Sequence, residues 1–404
     1  MRRGAPHRMK IVLFSRRKEM FYTANDEEIK QGQITDVYLA RTLEIIKATN
    51  MDKYVKAEIF LKSFRDNYEW GVLAGVEEAL RLLEGLKVTV RSMKEGTLFR
   101  VREPVMVIEG MYSEFCVYET ALLGLLCQAS GIASKAARCR VAAGDKLVVS
   151  FGARRMHPAI APMIDKNAYI GGCDAVSVIK SAELIGLDPM GTIPHALMLI
   201  YGDTVEATKA FDEVIDKKVN RVSLIDTFND EKFEAVRVAE ALGDKLFAVR
   251  LDTPSSRRGN FHELIQEVRW ELDLRGYNSV KILVSGGIDE KDILELKDVV
   301  DAFGVGTSIS SAPVLDFALD IVEVEGKLLA KRGKMSGEKK VLRCESCGRD
   351  WIVAIKEERE RCDCGGVLTD LLECFIVDGK IISPIPEPRK IREYVMEQLR
   401  KFAS

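Results

Sequence analysis

Four cysteines near the C-terminal end sit at metal-ligand spacing: two residues separate Cys344 from Cys347, and one separates Cys362 from Cys364. Each pair fits on a tight turn, and Gly348 and Gly365-Gly366 free the backbone to aim amides at sulfur, as a tetrahedral four-thiolate zinc site requires. Four thiolates fill the coordination sphere, so the expected zinc is structural. The tighter spacing of the second pair leaves Cys374 as an alternative ligand. Unligated cysteines are the competing reading, weak because so short a segment has little core of its own.

Two glycine-rich segments suggest anion binding: Ser285-Gly286-Gly287-Ile288-Asp289 and Phe303-Gly304-Val305-Gly306-Thr307-Ser308. Either alone reads as an ordinary tight turn. Together, as the last two strand ends of an alternating α/β region, they match the place where barrels bind phosphate through backbone amides. His195 lies in the Gly/Pro-shaped stretch Met190-Gly191-Thr192-Ile193-Pro194-His195. Asp226 and Asp252 stand at strand ends, where a metal–diphosphate or a ribose hydroxyl could be held, with Arg154, Arg155 and Arg250 beside the same ends. Taken singly, a histidine is more often structural than catalytic, and a strand-end charge more often solvates a loop.

The elements that must position these groups follow from periodicity. Up to about Gly110, helical segments at Thr35–Lys47 and Trp70–Leu83 mix with strand-like runs at Lys87–Val90, Leu98–Val101 and Val105–Glu109, an α+β pattern. Tyr112–Val141 carries helical spacing. Short β-branched runs then alternate with helices: Leu147–Phe151, Ala175–Ile179, Arg221–Asp226, Leu246–Leu251, Val280–Val284 and Ala302–Val305. Alternation of this kind argues for parallel strands with crossover helices, whose C-terminal ends all face one pocket. Val322–Glu325 and Leu328–Ala330 flank Gly326 as a hairpin, and Arg389–Phe402 is an amphipathic closing helix. The expected organisation is an N-terminal α+β domain over 10–125, a phosphate-binding α/β barrel over 126–320, and a C-terminal segment over 321–404 with the zinc module at about 340–375.

Composition bounds the function. The chain of 404 residues is 47% apolar and 30% charged, as in globular proteins, and its apolar stretch Ala121–Ala133 falls short of the roughly 20 residues a bilayer crossing needs. The basic N-terminus (Arg2, Arg3, Arg8, Lys10) precedes an apolar run too short for a signal peptide, and scattered single cysteines suit a reducing compartment, so a cytoplasmic location without membrane attachment is expected. A net charge of −2 gives no global attraction to nucleic acid, so an anionic substrate must be caught locally.

From Thr23 to Gly337 the chain resembles the nicotinate phosphoribosyltransferases, within the type II phosphoribosyltransferases. The likeness rests on Thr35-Asp36-Val37-Tyr38, Phe151-Gly152-Ala153-Arg154-Arg155, Gly191-Thr192-x-x-His195, Arg250-Leu251-Asp252-Thr253, Ser285-Gly286-Gly287 and Gly304-x-Gly306-Thr307. With the cysteine module added it is closest to the archaeal-type enzymes. The resemblance implies transfer of the phosphoribosyl group of phosphoribosyl pyrophosphate to nicotinate, with Mg²⁺ and with ATP as co-substrate. It also implies a homodimer with composite sites, higher assembly left open, in which Tyr38 of one subunit and Phe151 of the other sandwich the pyridine ring. Arg154 would hold the ring substituent, Arg250 and Asp252 the base and ribose, and the glycine loops the 5′-phosphate, with Thr192 of the histidine loop among the substrate-binding residues. His195 matches the residue ATP phosphorylates, and Ser177 falls where nicotinamide-using relatives carry an aspartate. Quinolinate and nicotinamide are the alternative substrates within the class. A zinc-ribbon nucleic-acid-binding protein is the alternative outside it, with Trp351 among Glu357, Glu358 and Glu360 a poor electrostatic footprint for that role.

Overall fold

The computed structural model describes residues 21–66 and 68–402; the basic N-terminal residues and His7 lie outside them. Six parallel strands form the sheet that carries the site, in the order Ala175–Val176, Leu147–Ser150, Ala302–Val305, Lys281–Val284, Leu246–Leu251, Arg221–Leu224. Neighbours pair in parallel throughout. The first and last strands are edges, so the expected α/β barrel takes the form of a half-barrel. Its β-branched runs are buried on both faces, with Val249, Leu251, Ile282, Val284, Phe303 and Val305 packing against Val238, Ile265, Val268 and Leu272 of the outer helices. The expected run Ala175–Ile179 is cut short: the strand stops at Val176, and Ile179 already begins the helix Ile179–Ile185.

A second, seven-stranded sheet holds Lys327–Leu328, Phe317–Val324, Tyr54–Leu61, Pro104–Met111, Val88–Ser92, Glu373–Val377 and Lys380–Ile381, in that order. The N-terminal sheet is therefore completed by strands from beyond residue 316. Its strand Tyr54–Leu61 escaped the periodicity reading because Lys56 and Glu58 interrupt the apolar run. Both charges are matched by the C-terminal segment, Lys56 by Glu338 at 2.6 Å and Glu58 by Lys339 at 2.7 Å. The helix expected from Trp70 starts only at Val76. Gly71–Val72 pairs instead with Leu98–Phe99, and Gly75 turns the chain at φ +83° so close to the Leu125 carbonyl that a Cβ would lie 2.4 Å from it.

The helix Glu119–Ala143 joins the two halves: Leu122 and Leu126 enter the N-terminal core, and Ile132, Ala136 and Cys139 the half-barrel core. The segment Tyr112–Ala143 is long and apolar enough to cross a membrane by composition alone, yet it carries both cores and buries Arg138 and Arg140. The predicted hairpin forms between Phe317–Val324 and Lys327–Leu328, with Glu325 and Gly326 both at positive φ. The closing helix spans Pro388–Phe402 and inserts Ile391, Val395 and Leu399 against Val72, Leu98, Ala133 and Tyr169.

Candidate active site

A cavity of about 300 Å³ opens where the parallel strands end. Phe151, Arg154, Ser177, Thr192, Arg250 and Asp252 all line it, together with Ser285, Gly286, Gly287, Gly304, Gly306 and Thr307. Arg155, Gly191, Ile193 and Pro194 complete the wall. Parallel topology explains the convergence: each strand delivers its next one or two residues to the same rim, however far apart they lie in the chain.

Arg250 organises the floor. Its Nη1 donates to Thr192 Oγ1 at 2.7 Å and its Nε to Ser285 Oγ at 2.8 Å, while Nη2 lies 3.2 Å from Asp252 Oδ1. Ser285 Oγ passes its own proton towards Asp252 Oδ1 at 2.5 Å. One planar guanidinium thus ties together a strand end, a glycine loop and the stretch before His195, a geometry that lysine cannot copy. The Phe151 ring lies 5.3 Å from the same guanidinium and offers an aromatic surface to the cavity. Arg154 and Arg155 are exposed on the rim, and neither side chain has an ion-pair or hydrogen-bond partner among the described residues.

Gly304, an expected phosphate contact, lines the cavity, and its position also serves the aromatic wall. It lies within the strand Ala302–Val305, where a Cβ would sit 2.5 Å from two carbons of the Phe151 ring. The missing side chain makes room for the ring. Backbone amides suited to an anion come from Gly286, Gly287, Gly306 and Thr307, whose N–H groups have no acceptor among the described residues.

Three expected site residues lie off the cavity wall. His195 is the first residue of the helix His195–Tyr201, next to the wall residue Pro194, and its Nε2 lies 3.0 Å from Asp226 Oδ2. The Asp226 side chain is buried and its Oδ1 lacks a partner among the described residues. Tyr38 stands 56% exposed on the helix Val37–Thr49, outside this pocket. The sequence reading passed over Arg258, whose guanidinium bonds the carbonyls of Thr253, Ser285 and Gly286. No motif marks it; its only signal is a cation shortly after a functional strand end.

The cysteine site forms as its spacing predicted. The sulfurs of Cys344, Cys347, Cys362 and Cys364 all lie within 4.8 Å of one another, with Cys344–Cys364 at 3.5 Å and Cys347–Cys362 at 3.7 Å. The edge of a zinc tetrahedron with bonds of about 2.3 Å is about 3.8 Å, so this donor set fits the ion. Backbone amides, that of Cys347 foremost, pull the Cys344 thiol down to about 6, favouring the thiolate a metal needs. Cys374 is excluded, because its thiol turns to the Ile376 carbonyl within the seven-stranded sheet. Trp351, the one aromatic considered for base stacking, is taken up by the Arg359 and Arg349 guanidinia, 3.5 and 4.3 Å from its ring centre.

Family profiles match the chain up to residue 320, short of the cysteine module and the closing helix: "Quinolinate phosphoribosyl transferase, N-terminal domain" over residues 36–130 and "Quinolinate phosphoribosyl transferase, C-terminal domain" over 132–320. The chain belongs to this family, the type II phosphoribosyltransferases, and to their fold. Among individual proteins it is similar to nicotinate phosphoribosyltransferase of Bacillus subtilis, at 30% identity over 73% of this chain and 68% of that one. It is also similar to a nicotinate phosphoribosyltransferase of Mycobacterium tuberculosis, at 29% identity over 79% of each. The crystal structure of nicotinate-nucleotide pyrophosphorylase from Pyrococcus furiosus superposes with a TM-score of 0.94 at 57% identity, covering 96% of this chain and 99% of that one. Human nicotinic acid phosphoribosyltransferase, at 18% identity and a TM-score of 0.71, shares the fold.

Proposed function

We propose that this enzyme transfers the phosphoribosyl group of phosphoribosyl pyrophosphate to nicotinate, giving nicotinate mononucleotide and pyrophosphate. The observation that carries this reading is the convergence, in one cavity, of the Arg250–Ser285–Asp252 network, the Phe151 ring, and glycine amides and an Arg154 cation without partners among the described residues. The ring nitrogen's lone pair forms the new bond to the anomeric carbon as the bond to pyrophosphate breaks. Positive charge builds at that carbon, so the protein must position, clamp anions and stabilise charge rather than supply a nucleophile. The amides hold the 5′-phosphate, Asp252 faces the ribose, and Phe151 and Arg154 take the ring and its carboxylate. A Mg²⁺ ion bound to the diphosphate would offset part of its charge, with Asp226 and Asp252 the strand-end carboxylates able to hold it. The sulfur spacing supports a structural zinc in the cysteine site. Tyr38, exposed beside Val37 and Ile45 on one helix, supports a dimer in which that face completes the partner's site.

The family profiles are described by quinolinate, which makes the dicarboxylate the second reading. Two rim arginines are few for two carboxylates, which favours nicotinate. A product assay with phosphoribosyl pyrophosphate and nicotinate, nicotinamide or quinolinate in parallel decides the matter. Turnover of quinolinate alone, with release of carbon dioxide, would overturn the nicotinate reading.

Substrate choice is assigned to Ser177, which lines the cavity immediately past the edge strand. Its hydroxyl can donate to a carboxylate, whereas an aspartate there would repel one. Ser177→Asp should weaken nicotinate by about 1–3 kcal/mol while improving the relative use of nicotinamide. Steady-state kinetics on both substrates checks this, and an unchanged acid-to-amide ratio would remove Ser177 from the argument.

ATP coupling is assigned to His195. An Nε2–H donated to Asp226 leaves the Nδ1 lone pair available to accept a phosphoryl group. His195→Ala should keep basal transfer and lose the stimulation by ATP, because the cavity wall remains intact. Equal loss of both activities in a folded variant would place His195 in the transfer step itself.

A further inference from the structure

Arg258 stands outside every motif, yet it touches the loops that matter most. Its Nε donates to the Thr253 carbonyl at 2.7 Å, and its Nη2 donates to the Ser285 carbonyl at 3.0 Å and to that of Gly286. The Phe261 ring supports the guanidinium from 4.6 Å. Gly286 and Gly287 adopt successive left-handed conformations, φ +84° and +77°. A trans peptide points its C=O and the following N–H in opposite directions. With the carbonyls of 285 and 286 drawn to Arg258, the N–H groups of Gly286 and Gly287 face away from it. Both glycines line the cavity, and neither amide has an acceptor among the described residues.

We propose that Arg258 is a positioning residue for phosphate recognition, fixing two peptide planes from behind so that their amides meet the 5′-phosphate of the ribosyl donor. The assignment rests on the phosphoribosyl-transfer reading of the same cavity. Three consequences follow from the geometry. The loop is ordered before substrate arrives, so binding does not have to arrest it. The full positive charge behind the peptides adds to the field of the amides in front. The Thr253 contact couples the glycine loop to the strand end that carries Asp252, fixing the distance between the phosphate and ribose ends of the site.

The test uses the full-length chain with Arg258→Ala and Arg258→Lys, and Arg257→Ala as an exposed neighbouring control. Calorimetric titration with ribose 5-phosphate reads phosphate recognition without any base, and steady-state kinetics reads KM for phosphoribosyl pyrophosphate and for nicotinate separately. Arg258→Ala should weaken ribose 5-phosphate and raise KM for phosphoribosyl pyrophosphate by about tenfold each, the scale of losing one charge-assisted contact, with KM for nicotinate unchanged. Arg258→Lys, which keeps the charge but cannot span three carbonyls, should fall between, and Arg257→Ala should match wild type. Unchanged ribose 5-phosphate affinity in a folded Arg258→Ala protein, or equal weakening of both substrates, would overturn the proposal. If wild type binds ribose 5-phosphate yet makes no nicotinate mononucleotide, the functional reading falls, while the calorimetric comparison still judges Arg258.

Discussion

Arg250→Ala should lower kcat/KM by about 10²–10³, equivalent to about 2.7–4 kcal/mol of transition-state stabilisation, with the fold retained. The guanidinium meets Thr192, Ser285 and Asp252 at once, so its loss unties the strand end, the glycine loop and the stretch before His195 from one another and leaves Asp252 without its cation. The Ser285 hydroxyl then keeps only its bond to Asp252, and the Phe151 ring loses the cation beside it. Stability should suffer less than activity, because the network faces the cavity, where water can replace the lost bonds. Arg250→Lys should recover little, since an ammonium is a point charge without a planar fork. Product formation alongside thermal melting checks the expectation. A fall of less than tenfold in a folded Arg250→Ala protein would remove Arg250 from the centre of the site.

Removing metal from the cysteine site should destabilise more than the ribbon that holds it, the three-stranded sheet of Asp350–Ala354, Lys339–Cys344 and Leu368–Asp370. Structural zinc contributes about 10–16 kcal/mol of apparent binding free energy in small modules, enough to decide whether such a segment folds. Here the ribbon is tied into the rest of the chain. Arg343, on the strand that ends in Cys344, bonds Asp350 at 2.6 Å, the Leu98 carbonyl at 2.7 Å and Gln398 on the closing helix at 3.3 Å. Gln398 in turn accepts from the Leu98 amide and donates to the Gly96 carbonyl. The Phe402 ring lies so close over Gly348 that a Cβ there would be 2.2 Å from it. Chelation, or Cys344→Ala, should therefore expose the ribbon, the closing helix and the Glu373–Val377 strand to hydrogen exchange, with the half-barrel opening later. Elemental analysis should find one zinc per chain, and native protein without stoichiometric metal would end this account.

The division between sequence and structure follows from the range of the interactions involved. The parallel strands, the cysteine ligands and most of the cavity wall were legible because each rests on a local pattern: a β-branched run, a Cys-x-x-Cys turn, a polar residue at a strand end. The strand Tyr54–Leu61 was not, because Lys56 and Glu58 are made acceptable only by Glu338 and Lys339, some 280 residues further along the chain. That Gly304 also leaves room for the Phe151 ring is not legible in a glycine motif, since the ring reaches it from another strand end. Whether Cys374 joined the metal site could not be read from spacing, since strand pairing with Val88–Ser92 carries it away. Arg258 illustrates the limit most plainly: any arginine can reach a carbonyl, and only tertiary packing brought Thr253, Ser285 and Gly286 within reach of this one. The sequence by itself determined which chemistry was present and which strands would carry it. The tertiary structure decided which groups meet, because hydrogen bonds and close packing act over a few ångströms and take no account of separation along the chain.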